Sequence, residues 1–506
     1  MARSIPRNIR QWFRTRKTAV AVATAIAGIA LALTAWGAAS PIGSSPDDNF
    51  HLPSIWCGLG DRDGLCDVQQ SGTVEVRAGL RTASDCLKAP MVAGTCGAAA
   101  DTPTTVETDF VNNEVGSYPD VFYAVTGAFA SEAPTASVLA IRLLNVLLAV
   151  VLCGLAYLFS SERIRRSILI AGMFTLVPLG AFFIPSTNPS SWAIASAFAV
   201  FPAVLSFLTD ESRRNVIGSG VVAGLAVVMG SGARVDAAIY SVIAIAGAWI
   251  VSGASVRRDW RKALYVLALI AFAFAMYRAA GAASNLTSEV KPWNRGLLYY
   301  NIINLPTLWQ GAFGSWGLGW FDVTMPAVVP AVAWGAFATV LILGIKGTWW
   351  RKSVVAGGVL FSAFALPLYV LMHDSAIVGA YVQPRYSYPL LILLIVVIAT
   401  TRTNEERIFE RSQAVVLASL ISMAHGVALY MTMKRYVQGW GNQSLSLNTA
   451  RSWWWSTGDG VLGVLWSPNV LCILGALGFA AFAIVSARAV TRSAVPQLGN
   501  RYIEGS

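Results

Sequence analysis

The sequence predicts an all-α polytopic membrane protein of about twelve transmembrane helices carrying one small, disulfide-containing extracytoplasmic loop subdomain. Three observations predict it. Apolar runs of about 17 to 25 residues recur along the chain, each long enough to cross a hydrocarbon core of roughly 30 Å. Lys and Arg cluster in every second connection between those runs. Four of the six cysteines fall together in one long loop. With 55% hydrophobic residues, 12% charged residues and a mean hydropathy of +0.58 over 506 residues, a single water-soluble core cannot hide the apolar surface.

The runs lie near residues 18-38, 136-158, 167-184, 190-208, 216-232, 237-252, 264-283, 326-346, 353-372, 387-400, 412-432 and 463-487. Basic clusters sit at Arg3 to Lys17, Arg163/Arg165/Arg166, Arg213/Arg214, Arg257/Arg258/Arg261/Lys262, Lys346/Arg351/Lys352, Arg402/Arg407/Arg411 and Arg488/Arg492. Short cytoplasmic loops carry such residues, so both termini are expected in the cytoplasm and the first long loop outside. The same placement explains the net charge of +11 without nucleic acid, because the positive residues face an anionic leaflet. The chain then divides into a basic N-terminus (1-17), a first transmembrane helix (18-40), the loop subdomain (41-135), a multi-helix domain (136-487) and a cytoplasmic tail (488-506). Two further outer loops, 284-325 and 433-462, fall inside the multi-helix domain.

The basic start and small residues near Ala38-Ala39-Ser40 also resemble a cleaved signal peptide. The apolar stretch exceeds a usual signal core, which favours a retained helix that packs against the rest.

In the first loop, Cys57, Cys66, Cys86 and Cys96 lie where oxidation persists, while Cys153 and Cys472 sit inside apolar spans. Two disulfides are expected there, in any of three pairings, Cys57-Cys66 with Cys86-Cys96 being the local choice. A zinc site would need a closer cysteine pair than this spacing supplies. Alternation over Gly72 to Arg77 suggests a strand, and Pro119 to Ala130 an amphipathic helix near the interface. Trp293, Trp309, Trp316, Trp320, Trp440 and Trp453 to Trp455 suit an interfacial belt or a stacking surface.

Polar groups that are costly near a membrane collect at the outer ends of the spans. Asp47, Asp48 and His51 follow the first span, in a segment that also reads as a solvated acidic turn. Two adjacent carboxylates there can serve as a general base or bind a divalent cation. Tyr118 and Asp120 precede the second span. Asn188 opens the fourth as a ligand or a plain cap. Arg234 and Asp236 fall between two spans, as a structural ion pair or a phosphate site. His373 closes the ninth span, and Arg385 with Tyr386 opens the tenth. Arginine suits a lipid-linked phosphate because its planar fork donates two hydrogen bonds and stays charged. Lys291 and Arg295 can assist there, or merely touch headgroups. Arg142, Arg278 and His425 are the polar intrusions in the spans, the first two near enough to an end to reach water.

Pro46-Asp47-Asp48-Asn49-Phe50-His51, Tyr118-Pro119-Asp120-Val121-Phe122-Tyr123, Asn188-Pro189-Ser190 and Pro384-Arg385-Tyr386, in that order, resemble a bacterial multi-pass membrane family. It is the family numbered twenty-one forty-two among the domains of unknown function, and it looks like a branch of the GT-C glycosyltransferases, which use sugars carried on polyprenyl phosphate. The similarity runs from the first span to about the tenth. It implies a bacterial cytoplasmic-membrane enzyme, a polyprenyl-phosphate sugar donor and an envelope polysaccharide or glycoprotein acceptor; the residues themselves call for no cofactor, with a divalent cation at Asp47 and Asp48 as the alternative. By the same resemblance Asp48, or else Asp47, is the base and Arg385 holds the donor phosphate; placement at the outer ends of the spans adds Arg234 and Arg295 as further phosphate ligands and His51, Tyr118, Asn188, Asp236, Tyr386 and His373 as candidate lining of the site. The chain departs at Asp120, where the family pattern has proline, which leaves its role open. Cytoplasmic loops too short for a Rossmann unit argue against a nucleotide-sugar donor. A transporter or flippase of envelope precursors, or a non-catalytic assembly scaffold, are the rival classes.

Overall fold

The computed structural model describes residues 7–85, 87, 101–281, 294–380, 382–449 and 467–492. Among these, ten helices are long and apolar enough to cross a membrane: Thr18–Ala39, Pro134–Leu158, Glu162–Phe183, Ser190–Thr209, Arg213–Ser231, Val235–Ser252, Trp260–Ala279, Trp350–His373, Arg411–Gln438 and Pro468–Val490. The other two expected spans correspond to shorter apolar helices, Val328–Gly344 and Pro384–Ala399. The second rises only about 24 Å at 1.5 Å per residue. It is buried along nearly its whole length. Its sides therefore meet protein, and it has no hydrocarbon thickness to match.

Exposed apolar side chains recur at helical spacing, as in Leu143, Leu147 and Val151, Ile217, Val221 and Leu225, or Val416, Leu420 and Met423. Stripes of that kind on helix after helix are stable only against lipid. The basic connections meet at one end of the bundle. Arg163 donates to the Arg402 carbonyl and the Thr209 hydroxyl, Arg166 to the carbonyls of Asn404, Glu406 and Arg492, and Lys262 to that of Leu208. The first loop occupies the other end.

The first helix, Arg7–Ala39, packs along Pro468–Val490. A Cβ on Gly28 would lie 2.5 Å from the Gly478 carbonyl oxygen, and one on Gly478 would lie 2.7 Å from that of Gly28. Only glycine permits this approach. Trp36 adds a buried hydrogen bond at 2.9 Å to His425, whose ring stacks on Phe479 at 4.2 Å. His425 is thus held as part of the core.

The third span is interrupted. Its helix ends at Thr175, Val177 leaves helical geometry at φ −96°, ψ 131°, and Ala181–Phe183 resumes the turn. Pro178 has no N–H to give the ladder. The freed Thr175 carbonyl accepts the Tyr388 hydroxyl of the buried short helix. The break leads directly into Thr187 to Ser191, which contribute to the site below.

The loop is not purely helical, which corrects the all-α expectation. Strands β1 (Asp67–Val68), β2 (Val74–Arg77) and β3 (Thr105–Thr108) form an antiparallel sheet in that order, with Val74 opposite both Val68 and Thr108. Val74 and Val76 point inward onto Val111 and the Cys57–Cys66 disulfide. Cys86 and Cys96 lie outside the described residues, as do Lys291, Trp293 and Trp453 to Trp455. The expected interfacial helix is confined to Val121–Gly127, with Phe122 and Tyr123 buried.

Candidate functional site

At the loop-bearing end the first helix stops at Ala39, and Arg142 of the second span closes it. The Arg142 guanidinium donates to the carbonyls of Gly37 at 2.9 Å, Pro41 at 3.0 Å and Ser40. These terminal carbonyls have no intrahelical partner and carry the negative end of the helix dipole, so a cation there is favoured twice over. Arg142 is 2% exposed. It does not reach water as expected but is locked to backbone inside the protein.

The clamp presents Pro41 to Ser45 to the short helix Asp48–Trp56, and at its start the two adjacent carboxylates part company. Asp48 is completely buried, accepting the Thr187 hydroxyl at 2.9 Å and the Ser45 N–H at 3.1 Å. Burial pushes its carboxyl up to about 6, against the pull of Arg142 and these hydrogen bonds. Asp47 takes the left-handed conformation, φ 63° and ψ 15°, which aspartate tolerates better than most residues. Its side chain remains 38% exposed and pairs with Arg385.

Arg385 stands on the first turn of Pro384–Ala399, its side chain 1% exposed. One nitrogen, Nη2, serves both Asp47 and the Tyr386 hydroxyl, the latter at 3.1 Å. Nε and Nη1 are buried without a hydrogen-bond partner. Tyr386 lies between two guanidiniums, Arg385 at 5.0 Å and Arg234 at 4.8 Å from its ring centroid. Arg234 forms a forked pair with Asp236, both bonds 2.9 Å, reaches the Ser190 hydroxyl at 3.3 Å and sits 5.6 Å from the Tyr118 ring. Asn188 completes the ring of elements: its Oδ1 accepts the Ser190 N–H at 2.9 Å and its Nδ2 donates to the Pro46 carbonyl at 2.8 Å.

His51, one helical turn beyond Asp47, shares a 2.8 Å hydrogen bond through Nδ1 with the Tyr123 hydroxyl, while its Nε2 is buried and unpartnered. Burial pushes its imidazole down to about 3, opposed by Asp47 and reinforced by the two arginines, so it is neutral at physiological pH. For Asp47, burial favours the neutral acid, but the neighbouring positive charges, Arg385 first, outweigh it and hold the carboxyl below its usual range. Burial pushes the Tyr118 phenol up to about 12 in spite of Arg234, so it keeps its proton. The result is an open carboxylate facing a cluster of two buried cations, two of whose donors point at nothing.

Asp47, His51, Tyr118, Asn188, Arg234, Asp236, Arg385 and Tyr386 are therefore brought together. Asp120, Arg295 and His373 are not seen in this network. Asp120 accepts from Asn112 at 3.0 Å, and Asn112 also ties down the Tyr118 backbone. Arg295 is exposed at the start of the helix Arg295–Asn304, and the His373 ring pairs with Asp374 at 2.8 Å. Several tryptophans expected in a belt instead brace backbone, Trp320 donating to Gly43, Trp440 to Asp322 and Trp309 to Ala363. Sequence reasoning missed a second ion pair at this end, Arg435 with Asp322 at 3.0 Å, both almost fully buried. Among the described residues no three of His, Cys, Asp and Glu gather as a metal site.

The fold and its lipid-facing stripes define a multi-pass integral membrane protein. Residues 30–394 match the family described as predicted membrane protein (DUF2142), and the chain belongs to that family. No curated protein and no solved structure matches it.

Proposed function

We propose that this protein is an integral membrane glycosyltransferase of GT-C type, transferring a sugar from a polyprenyl-phosphate donor to an envelope polysaccharide or glycoprotein. Transfer takes place on the extracytoplasmic side of the bacterial cytoplasmic membrane, with both termini in the cytoplasm. The observation that carries this reading is Arg385, a buried guanidinium with two unsatisfied donors beside an accessible carboxylate. Unpaired buried donors are costly, and a phosphate oxygen is a ligand that satisfies them in a forked geometry.

The Asp48 carboxylate is enclosed, so the base role moves to Asp47. Donor phosphate on Nε and Nη1 shares the Arg385 charge with Asp47, which weakens the pull that depresses the basicity of the carboxylate. Asp47 then takes the proton of an acceptor hydroxyl as that oxygen bonds the anomeric carbon. The bond from that carbon to phosphate breaks, and the phosphate leaves with the electron pair, its charge held by Arg385 and Arg234.

The test is transfer of radiolabelled sugar from a panel of polyprenyl-phosphate sugars by the purified protein in lipid. Asp47→Asn is expected to lower transfer by about 10²–10⁴-fold, whereas Asp48→Asn retains most of it. Full transfer by Asp47→Asn would remove the base, and no transfer from any donor would favour the transporter reading.

A further inference from the structure

On the flank of the bundle, the first helix, Pro134–Leu158, Glu162–Phe183 and Pro468–Val490 leave a cavity of about 170 Å³ between them. Its walls are almost entirely apolar, and small residues such as Ala21, Ala25, Ala149 and Gly154 make the room. Ile26, in the wall, is 41% exposed, so the cavity opens sideways into the bilayer. Along the first helix it extends from Thr18 to Leu33. That is roughly 22 Å, longer than half of a hydrocarbon core of roughly 30 Å, and so longer than one leaflet.

The end of the cavity at Thr18 is basic. Arg492 lines it, just past the last turn of Pro468–Val490, and its side chain is exposed. Tyr157 lines it as well, and Arg165 stacks 5.3 Å from the Tyr157 ring while donating to its carbonyl at 2.9 Å. Arg166 bonds the Arg492 carbonyl at 3.3 Å, its own charge partly met by Glu162 at 3.5 Å. Among the described residues no acidic side chain lines the cavity. An apolar slot of chain length, capped at headgroup depth by cations, is complementary to one class of molecule in its surroundings.

We infer that this cavity is a binding site for an anionic glycerophospholipid of the leaflet at its basic end, part of one acyl chain seated in the cavity and the phosphate at Arg492. The lipid then fills the gap beside the first helix. This inference does not depend on the proposed glycosyl transfer.

Two variants separate chain from headgroup. A Cβ on Gly154 meets nothing within 4 Å, so Gly154→Leu occupies the slot without a backbone clash. Arg492→Gln removes a charge at an exposed position and leaves the slot open. The purified full chain, stripped of lipid in detergent, is titrated with phosphatidylglycerol and with phosphatidylcholine, and bound lipid is counted by native mass spectrometry. The wild type is expected to hold one phosphatidylglycerol in preference to phosphatidylcholine. Arg492→Gln is expected to reduce that preference by about fivefold, the worth of one basic residue at an anionic surface. Gly154→Leu is expected to lose the tightly held lipid of either headgroup. Equal binding of the two lipids by the wild type, or phosphatidylglycerol binding unchanged in both variants, overturns the site. Preferential capture of polyprenyl phosphate over phosphatidylglycerol in direct competition overturns the assigned occupant.

Discussion

The pairs Asp322–Arg435 and Asp47–Arg385 stand at the loop-bearing end, and they differ in what surrounds them. In Asp322–Arg435 both partners are almost fully buried, the Tyr436 hydroxyl reaches the carboxylate at 3.3 Å, and Arg435 also donates to the Leu87 carbonyl at 2.7 Å. In Asp47–Arg385 the arginine is as deeply buried, yet the carboxylate is open and two guanidinium nitrogens are unpartnered. The first arrangement joins three segments of chain and shuts both charged partners away from solvent. The second is held together by the fold while leaving valences unused. A binding site differs from a brace by that surplus.

Breaking the brace is expected to have the largest effect. Arg435→Ala strands the buried Asp322 carboxylate and should lower stability by about 3–5 kcal/mol, seen as a lower unfolding temperature in detergent. If unfolding is unchanged, the two pairs are not different in kind. Arg385→Ala should do the reverse. Unfolding moves little because Asp47 is left facing solvent, while sugar transfer falls by about 10²–10³-fold. A large loss of stability in Arg385→Ala would erase the contrast.

Asp48 sharpens it through pH. Its folded value of about 6 lies above the ordinary 3.8, so the folded protein holds a proton that the unfolded chain releases between those values. Its contribution is fully present below the ordinary value and lost as pH rises to about 6. Stability should therefore fall by about 1–3 kcal/mol from pH 4 to 7, and Asp48→Asn should flatten that slope. An identical slope in the variant would show that Asp48 is not titrating. The smallest effect is expected from replacing the whole brace: Asp322→Leu with Arg435→Met should cost less than Arg435→Ala alone, because no charge is left unpaired. A double variant as unstable as the single one would show that the charges themselves are needed.

Much of this end was legible in the sequence. Asp47, Asn188, Arg234 and Arg385 lie at the mouths of different spans, and the alternation of basic loops puts those mouths on one side of the bundle. Charged groups there stand out because the spans around them are apolar. What the sequence could not decide was which of two neighbouring carboxylates faces outward, since that turns on a single left-handed residue at Asp47. Nor could it pair Arg435 with Asp322 or Arg142 with the end of the first helix. Such contacts join distant segments and leave no local period, so Arg142 read as a residue reaching for water. The sheet was half visible: β2 alternates, but β3 is largely exposed and shows little pattern beside it.

The seam between the first helix and Pro468–Val490 bears on how the protein is made. Trp36 and His425, which meet beside it, are 389 residues apart in the chain. At ribosomal rates of about 5–20 residues per second, the first helix resides in the bilayer for on the order of half a minute before its partners are synthesised. During that interval the glycine face is open to any other helix in the membrane. A nascent chain stopped short of residue 468 leaves that face without the helix that covers it in the folded protein.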